Sequence, residues 1–315
     1  MCVVEHLVTS FLVVFPIFIK LVIGFTLKRT GILSESASKD MNNIVFRLFI
    51  PVMLFSNIYK ADFHASFSGL YILFGLGSLL VFFLFYMLVV PHIEKDNRKR
   101  GVLVQAICRS NFVLFGLPVS ISIYGEQSAG IASILVGFVV PLINTLSVIA
   151  LEYFRESKPN IPKILKSIAT NPIIIGGLCG FLCKILGVEL PTVIDGTVSE
   201  LARIATPLAL IILGGSVTFS SVGANSKQLV FGVLNRLLVI PAVGLAAAVL
   251  LGFRNVQLVV LMSMFASPAA VSSFTMAQQM DGDADLAGQL VVFTTVFSII
   301  SIFFWTFLLK TLGLI

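Results

Sequence analysis

The chain has 315 residues, of which 57% are hydrophobic and 11% charged, with a formal net charge of +6 and a mean hydropathy of +1.05. Soluble domains rarely exceed half apolar residues, and here the charges are confined to short clusters between apolar runs of about 20 residues, the length that crosses a bilayer. The composition excludes an ordinary soluble protein and predicts an all-α polytopic membrane protein, in which positive charge sets orientation rather than binding nucleic acid.

Ten apolar segments follow one another along the chain, and none of the stretches between them is long enough for a separate soluble domain. The predicted membrane-spanning helices cover residues 7–27, 41–59, 69–91, 101–124, 129–151, 168–187, 197–218, 228–251, 256–280 and 286–311. The connecting loops alternate in basic content. The odd-numbered loops hold twelve lysines and arginines, whereas the opposite side holds three, Lys60, Arg254 and Lys310.

Basic loops face the cytoplasm. We therefore expect a multi-pass protein of the plasma membrane with both termini outside. The ninth loop, MDGDADLAG, is acidic although the alternation makes it cytoplasmic. It is the one loop that the charge rule does not support.

Prolines indicate an internal repeat. Four pairs recur, at an offset of 156 residues in the first two spans of each half and of 150 residues further on: Pro16 with Pro172, Pro51 with Pro207, Pro91 with Pro241, and Pro118 with Pro268. Each copy then has five spans, an odd number, so residues 156–315 are inserted upside down relative to residues 1–155. Inverted repeats with interrupted helices are typical of secondary transporters.

The fourth and ninth spans each carry a proline, Pro118 in the sequence GLP and Pro268 in the sequence ASP. We expect both helices to unwind at these sequences and the two breaks to cross near the bilayer midplane. A broken helix exposes N–H groups at one half-helix start, which hold an anion, and carbonyl groups at the other half-helix end, which hold a cation. The alternative is a simple proline kink in a packed helix.

Polar side chains cluster around the two breaks and on the fifth and tenth spans. The predicted substrate-binding residues are Ser110, Asn111, Gly116, Leu117, Pro118, Asn144, Ser267, Pro268, Ala269, Ser272, Ser273, Gln278 and Thr294. For a single serine or threonine, packing between helices is the alternative role. Three arginines, Arg47, Arg109 and Arg203, are candidates for setting the potential of the site, with snorkelling to the interface as the alternative for Arg47 and Arg203.

The fifteen carboxylates all lie in loops or close to span ends. Buried cations without buried anions favour an anionic substrate. No carboxylate pair, nucleophile–base set, phosphate-binding loop or Cys/His cluster appears in the sequence. We therefore expect no enzymatic activity, no metal and no cofactor.

Motifs along nearly the whole chain resemble the auxin efflux carrier family. They are LKRTGIL, IPVMLF, NFVLFGLPVSISIYG, VPLINTLSV, NPIIIGGLCG, ATPLALIILGGSV and ASPAAVSSFTMAQQMDGDADLAG. The resemblance implies a fold like that of sodium–bile acid symporters. Helices 1, 2, 6 and 7 would form a scaffold that often mediates dimerisation, and helices 3–5 and 8–10 a mobile transport domain with helices 4 and 9 crossed.

The resemblance also implies that Asn111, Pro118, Asn144 and Pro268 belong to the substrate site. The short central loop, residues 152–167, is similar to that of the prokaryotic malate and malonate permeases rather than that of the plant auxin exporters. The expected partners are the lipid bilayer, the substrate, a second copy of the chain and a coupling Na⁺ or H⁺, with no nucleic acid.

The leading interpretation is a secondary transporter of small organic anions, mono- or dicarboxylates such as malate or malonate, working by an elevator-like movement of the transport domain. Two alternatives stay open. One is a Na⁺-coupled symporter of the bile-acid-symporter type, in which Ser110, Asn111 and Gln278 bind Na⁺. The other is a membrane sensor that binds a ligand without moving it.

Overall fold

The computed structural model describes residues 2–60, 69–125, 127–155, 161–216 and 222–315. Within these ranges every regular element is helical. The α-helices are α1 (Cys2–Arg29), α2 (Glu35–Ile44), α3 (Ile50–Tyr59), α4 (Gly69–Ile93), α5 (Asn97–Cys108), α6 (Leu117–Tyr124), α7 (Gln127–Tyr153), α8 (Ile161–Thr170), α9 (Pro172–Ile185), α10 (Thr192–Ser216), α11 (Ser226–Leu234), α12 (Ile240–Leu250), α13 (Asn255–Ala266), α14 (Ser272–Gln279) and α15 (Ala284–Thr311).

Each of the ten predicted segments coincides with one of these helices or with two consecutive ones. The sixth segment, predicted as one helix from residue 168, is divided at Asn171, whose side chain caps the start of α9. In the described ranges, six helical stretches are long and apolar enough to cross a membrane: Glu35–Tyr59, Gly69–Ile93, Ile134–Tyr153, Thr192–Ser216, Ser226–Leu250 and Ala284–Thr311. The all-helical fold is confirmed, and these stretches agree with a polytopic membrane protein.

Three π-helical turns, Val45–Phe49, Phe112–Gly116 and Asn235–Val239, each lead into a helix with proline in its first turn. In each case the residue just before the proline donates its N–H to a carbonyl five residues back. Proline has no N–H to donate and its ring crowds the preceding turn. The wider turn therefore lets the chain continue as a helix through the proline.

The position of the first break differs from the prediction. Helix α5 ends at Cys108, the chain is extended through Arg109 and Ser110, and helical structure resumes at Phe112. Pro118 stands in the first turn of α6, where its missing N–H is tolerated. The predicted break at GLP is therefore wrong, because the π-helical turn has already accommodated the proline.

The second break falls where it was predicted. Helix α13 ends at Ala266, Pro268 lies in the non-helical stretch that follows, and α14 begins at Ser272. The two breaks are consequently not related by the offset of 150 residues that pairs Pro118 with Pro268. The pair Pro118 and Pro268 thus does not mark equivalent points of the two interrupted helices.

The first halves of both interrupted helices are enclosed by protein. All residues of α5 from Gly101 to Cys108 and of α13 from Leu258 to Ala266 are buried. Helix α4, by contrast, exposes large apolar side chains such as Leu73 and Leu88. Apolar side chains exposed along a helix of spanning length are the surface that lipid covers.

Helices α1 and α10 pack with their backbones in contact. A Cβ atom placed on Gly24 would lie 1.9 Å from the carbonyl oxygen of Ile211, and one placed on Gly214 would lie 2.1 Å from the carbonyl oxygen of Leu21. Small residues allow such close approach between membrane helices. Helix α3 packs in turn against α9 and α10.

Substitution of Gly214 by alanine is expected to lower the free energy of unfolding by about 1–3 kcal/mol, because the added methyl group overpacks a backbone contact that has no room to relax. Thermal unfolding in detergent measures this change. Gly196→Ala on the same helix is the matched control, since its Cβ would meet no atom within 4 Å. Equal unfolding midpoints for Gly214→Ala and the wild type would contradict the prediction.

The acidic ninth loop lies against the third and fifth loops. The carboxylate of Asp281 accepts hydrogen bonds from Arg155, at 2.5 Å from Nη2 and 2.9 Å from Nε, and its carbonyl accepts one from Nε of Arg98 at 3.1 Å. The ninth loop therefore lies on the same side of the protein as two basic loops, whose arginines bind Asp281. Which side of the membrane this is stays a prediction. Lys158 of the fifth loop lies outside the described residues.

Candidate functional site

The two breaks meet and are joined through their main chains. The N–H of Asn111 donates to the carbonyl of Pro268 at 2.8 Å, and the N–H of Ala270 donates to the carbonyl of Arg109 at 3.2 Å. These bonds form a short antiparallel bridge between the two interrupted helices. Backbone groups that lost their helical partners at the breaks are satisfied by each other, as a buried site requires.

Helix α15 supports the bridge. The hydroxyl of Thr294 accepts a hydrogen bond from the N–H of Ala269 at 3.1 Å and donates to the carbonyl of Leu290 at 2.6 Å. On the other side of the break the hydroxyl of Ser267 donates to the carbonyl of Ser263. These hydroxyls replace intrahelical bonds that the break removes, which is why polar residues occur in otherwise apolar helices here.

A cavity of about 510 Å³ opens beside the first break. Its walls come from the two breaks, from α7, and from α3 and α10 on the opposite side. Apolar side chains such as Ile50, Phe112 and Val140 make up much of the lining. A mostly apolar cavity with a few convergent polar groups is the usual form of a small-molecule site.

Arg109, whose carbonyl takes part in the bridge, is almost completely buried. Its Nη2 lies 2.6 Å from Oδ1 of Asn144 on α7, and its Nη1 lies 2.8 Å from the sulfur of Met276 on α14. Both partners are neutral. The four ion pairs recorded among the described residues involve none of these groups, so the charge of Arg109 is not balanced by a carboxylate.

Next to Arg109, two buried polar side chains that line the cavity have atoms without a partner. These are the hydroxyl of Ser110 and the amide nitrogen Nδ2 of Asn111, each on a residue that is 7% exposed. A buried unpaired donor costs about 1–3 kcal/mol. The wall of the cavity thus contains two polar groups whose hydrogen-bonding capacity the protein itself does not use.

The remaining charges of the cavity are also positive. Lys20, Lys60 and Arg203 line it together with Arg109, and the lining within the described ranges contains no aspartate or glutamate. Lys60 pairs with Asp195 at 3.1 Å at the end of α3. The described lining of the cavity therefore carries an excess of positive charge.

Six of the sixteen residues predicted to form the site line this cavity: Arg109, Ser110, Asn111, Asn144, Arg203 and Ser272. Nine others lie outside its lining, as far as the structure describes them: Arg47, Gly116, Leu117, Ser267, Pro268, Ala269, Ser273, Gln278 and Thr294. The side chain of Pro118 is outside the described part. Of the nine, Pro268, Ala269 and Thr294 hold the bridge, whereas Arg47 is exposed on the π-helical turn that precedes α3.

Gly116 has a packing role. A Cβ atom on this residue would lie 2.3 Å from the ring of Phe112 and 3.0 Å from the carbonyl oxygen of Ser263. Its position is set by the close approach of the first interrupted helix to α13. Gly116 thus belongs to the packing behind the cavity wall rather than to the wall itself.

The sequence interpretation missed the polar residues that α3 and α10 contribute to the cavity, among them Ser56, Asn57, Ser199 and Thr206. A signal was present, because Asn57 and Thr206 lie in apolar spans close to the paired prolines Pro51 and Pro207. The predicted substrate-binding residues were restricted to the broken helices and the spans beside them, so these polar residues of α3 and α10 were not predicted.

A second polar contact joins α2 to α14 beyond the bridge. The side-chain nitrogen of Asn42 donates to the carbonyl of Thr275 at 3.4 Å. Several buried oxygens in this contact have no partner: Ser38 Oγ, Asn42 Oδ1, Ser273 Oγ and Thr275 Oγ1. The contact is polar but weakly bonded, unlike the tightly bonded bridge.

The chain is similar to known membrane transport proteins over nearly its whole length. A family model described as "Membrane transport protein" matches residues 9–306. A protein described as an uncharacterized transporter from Methanocaldococcus jannaschii is 26% identical over 94% of this chain and 98% of its own length. Another uncharacterized transporter, from Methanothermobacter thermautotrophicus, is 25% identical over 94% of this chain and 97% of its own length.

Proposed function

This chain belongs to the membrane transport protein family, and we propose that it is a secondary transporter of small organic anions, with mono- or dicarboxylates such as malate or malonate as the substrate class. The match extends over nearly the whole chain, so the resemblance to the auxin efflux carrier family is confirmed. The family is one of transporters rather than enzymes. Membership of this transporter family is established by the match, whereas the substrate class and the mechanism are our proposal.

The observation that carries the substrate class is the buried, unbalanced charge of Arg109 beside the unpaired Nδ2 of Asn111, both in the cavity wall. A carboxylate supplies what this pair lacks, a negative charge and acceptor oxygens. Hydrogen bonds between charged groups are the stronger ones, and arginine presents donors in a fork that matches a carboxylate. Asn144 orients the arginine by accepting from its Nη2.

The backbone supports the same substrate class. Phe112, where the first interrupted helix resumes, and Ser272, where α14 begins, both line the cavity. The start of a helix carries the positive end of its dipole. Two such ends beside a buried arginine favour an anion over a cation or a neutral solute.

The proposed mechanism is alternating access by an elevator-like movement. In this mechanism the ten predicted spans form two inverted repeats. Spans 1, 2, 6 and 7 would form the scaffold, and spans 3–5 and 8–10 the transport domain. The cavity lies between the two breaks, which belong to the proposed transport domain, and helices α3 and α10, which belong to the second and seventh spans of the proposed scaffold. It reaches Lys60, predicted to lie outside, so this conformation corresponds to an outward-facing state.

Proteoliposomes containing the purified protein test the proposal. Uptake of labelled malonate, malate and a monocarboxylate is measured under an imposed membrane potential and under inward and outward ion gradients, with a labelled amine as the negative control. Saturable uptake of a carboxylate, inhibited by the unlabelled compound, is expected. If no carboxylate moves under any condition, the proposal is wrong; ligand binding without flux would identify the sensor alternative.

A further inference from the structure

Arg236 is the second buried arginine of the crossing, and it binds main-chain carbonyls only. It lies in the π-helical turn Asn235–Val239 and is 1% exposed. Its guanidinium donates four hydrogen bonds of 2.7–3.1 Å, to the carbonyls of Ile107, Met264, Phe265 and Ser267. It does not belong to the lining of the cavity as described.

These four acceptors stand at the ends of two helices. Ile107 is in the last turn of α5, Met264 and Phe265 are in the last turn of α13, and Ser267 follows it. The last carbonyls of a helix have no partner in the helix and carry the negative end of its dipole. Because α5 and α13 are buried, donors from the protein satisfy these carbonyls, and Arg236 supplies four of them together with a positive charge.

The turn that carries Arg236 is held in place on two sides. The Tyr86 hydroxyl on α4 donates to Oδ1 of Asn235 at 2.7 Å. The Trp305 indole N–H on α15 donates to the carbonyl of Leu237 at 2.9 Å. The guanidinium is thus fixed against both helix ends by its own anchored backbone.

We propose that Arg236 is the resident cation of the crossing and replaces a dissociable ion at the carbonyl ends of α5 and α13. Half-helix carbonyls of this kind coordinate Na⁺ or take part in proton coupling in other transporters. A guanidinium neither dissociates nor loses its proton in proteins. With this position occupied by a fixed cation, carboxylate transport is expected to be coupled to neither Na⁺ nor H⁺, and the positive ends of the following half-helices remain free for the anion.

Arg236 is a positioning residue in this inference, since it holds the two helix ends and touches no substrate. The inference rests on the proposed function only where it speaks of transport. The occupied cation position itself can be tested on the purified protein without any substrate. Thermal unfolding tests the occupied cation position, and carboxylate uptake tests its consequence for transport.

Thermal unfolding of the full-length protein is measured in NaCl and in choline chloride at equal ionic strength. The wild type is expected to have the same midpoint in both salts. Arg236→Ala is expected to unfold several degrees lower in choline chloride and to recover part of the loss in NaCl or in low millimolar guanidinium chloride, because a free cation then enters the vacated position. Arg236→Lys, which keeps the charge, is expected to lose less and to show a smaller recovery.

Arg254→Ala is the matched control. Arg254 also donates to two carbonyls at a helix end, those of Val249 and Phe253, but it is exposed, so water can replace it. No salt-specific recovery is expected for this variant. A Na⁺-specific stabilisation of the wild type, or a folded Arg236→Ala that no cation stabilises, would overturn the inference. If Arg236→Ala does not fold, the wild-type measurement and Arg236→Lys decide it.

The second experiment compares wild-type carboxylate uptake under four conditions: NaCl on both sides of the membrane, choline chloride on both sides, an inward sodium gradient, and an inward proton gradient in choline chloride. Equal initial rates in all four conditions are expected. Uptake driven by a sodium or proton gradient would overturn the inference while leaving carboxylate transport intact. Absence of any carboxylate flux would instead contradict the proposed function and leave the unfolding result to stand alone.

Discussion

Replacing Arg109 by glutamine is expected to lower the initial rate of carboxylate uptake by about 100- to 4000-fold. The guanidinium is buried and bonded to Asn144 and Met276, so it offers the anion a fixed charge without the cost of ordering a flexible side chain. Breaking one partner out of a buried charge pair costs about 3–5 kcal/mol, and each 1.4 kcal/mol is a factor of ten. The measurement is uptake into proteoliposomes at a fixed amount of reconstituted protein.

The matched control is Arg47→Gln, an arginine that is exposed and outside the cavity lining described by the structure. It is expected to transport at the wild-type rate. Arg109→Gln should also unfold at nearly the wild-type temperature, because Arg109 has no carboxylate partner whose burial it compensates. Unchanged uptake in Arg109→Gln, with normal reconstitution, would remove Arg109 from the site.

Replacing Asn111 by alanine is expected to reduce uptake by about 10- to 100-fold. Its Nδ2 has no hydrogen-bond partner in the protein, and we expect this donor to bind the carboxylate in the cavity. A hydrogen bond to a charged group contributes about 1.5–3 kcal/mol. The same missing partner means that the folded protein loses little when the amide is removed. We therefore expect Asn111→Ala to have reduced uptake but the same unfolding midpoint as the wild type. This combination distinguishes a role in substrate binding from a role in stability.

Two further variants sharpen this prediction. Asn111→Asp has nearly the same shape but faces the substrate with a negative charge, and it should be at least as inactive as the alanine variant. Asn43→Ala serves as the control, because Asn43 also has a buried unpaired oxygen but does not line the described cavity. Wild-type uptake in Asn111→Ala would show that this amide does not contact the substrate.

The positions of the helices were predictable because apolar runs of spanning length are visible in sequence without any tertiary information. The same reasoning fails for the division of the sixth segment at Asn171, where a capping side chain in an apolar context decides between one helix and two. The contact between the third, fifth and ninth loops could not be predicted from the sequence either. It depends on the pairing of Asp281 with Arg98 and Arg155, which are more than 120 residues away in sequence.

The first break was misplaced because proline has two different uses. At Pro268 it lies within the broken stretch, whereas at Pro118 it stands in the first turn of a helix that a π-helical turn has already widened. Local sequence does not distinguish these cases, since both prolines follow small or apolar residues. The polar pair Ser110–Asn111 lies at the true position of the break, where the backbone groups pair with the main chain of the second break.

Residue types predicted part of the site, and tertiary contacts determined the rest. Asn111 and Asn144 were identified as polar residues in apolar spans, and both line the cavity. The contact of Arg109 with Met276 and the four carbonyls around Arg236 follow only from the way α5 and α13 cross. An arginine in an apolar run looks the same in sequence whether it faces lipid, substrate or a helix end.

The bridge between the two breaks is made by main-chain atoms of Asn111 and Ala270, so its geometry does not depend on which side chains these positions carry. Exchanges at Ser110, Asn111 or Ser272 can therefore alter what the cavity selects while the crossing itself persists. Only a proline at position 111 or 270 would remove one of the two N–H donors. The crossing is thus a platform on which new specificities can be engineered, or arise by single substitutions, without a new fold.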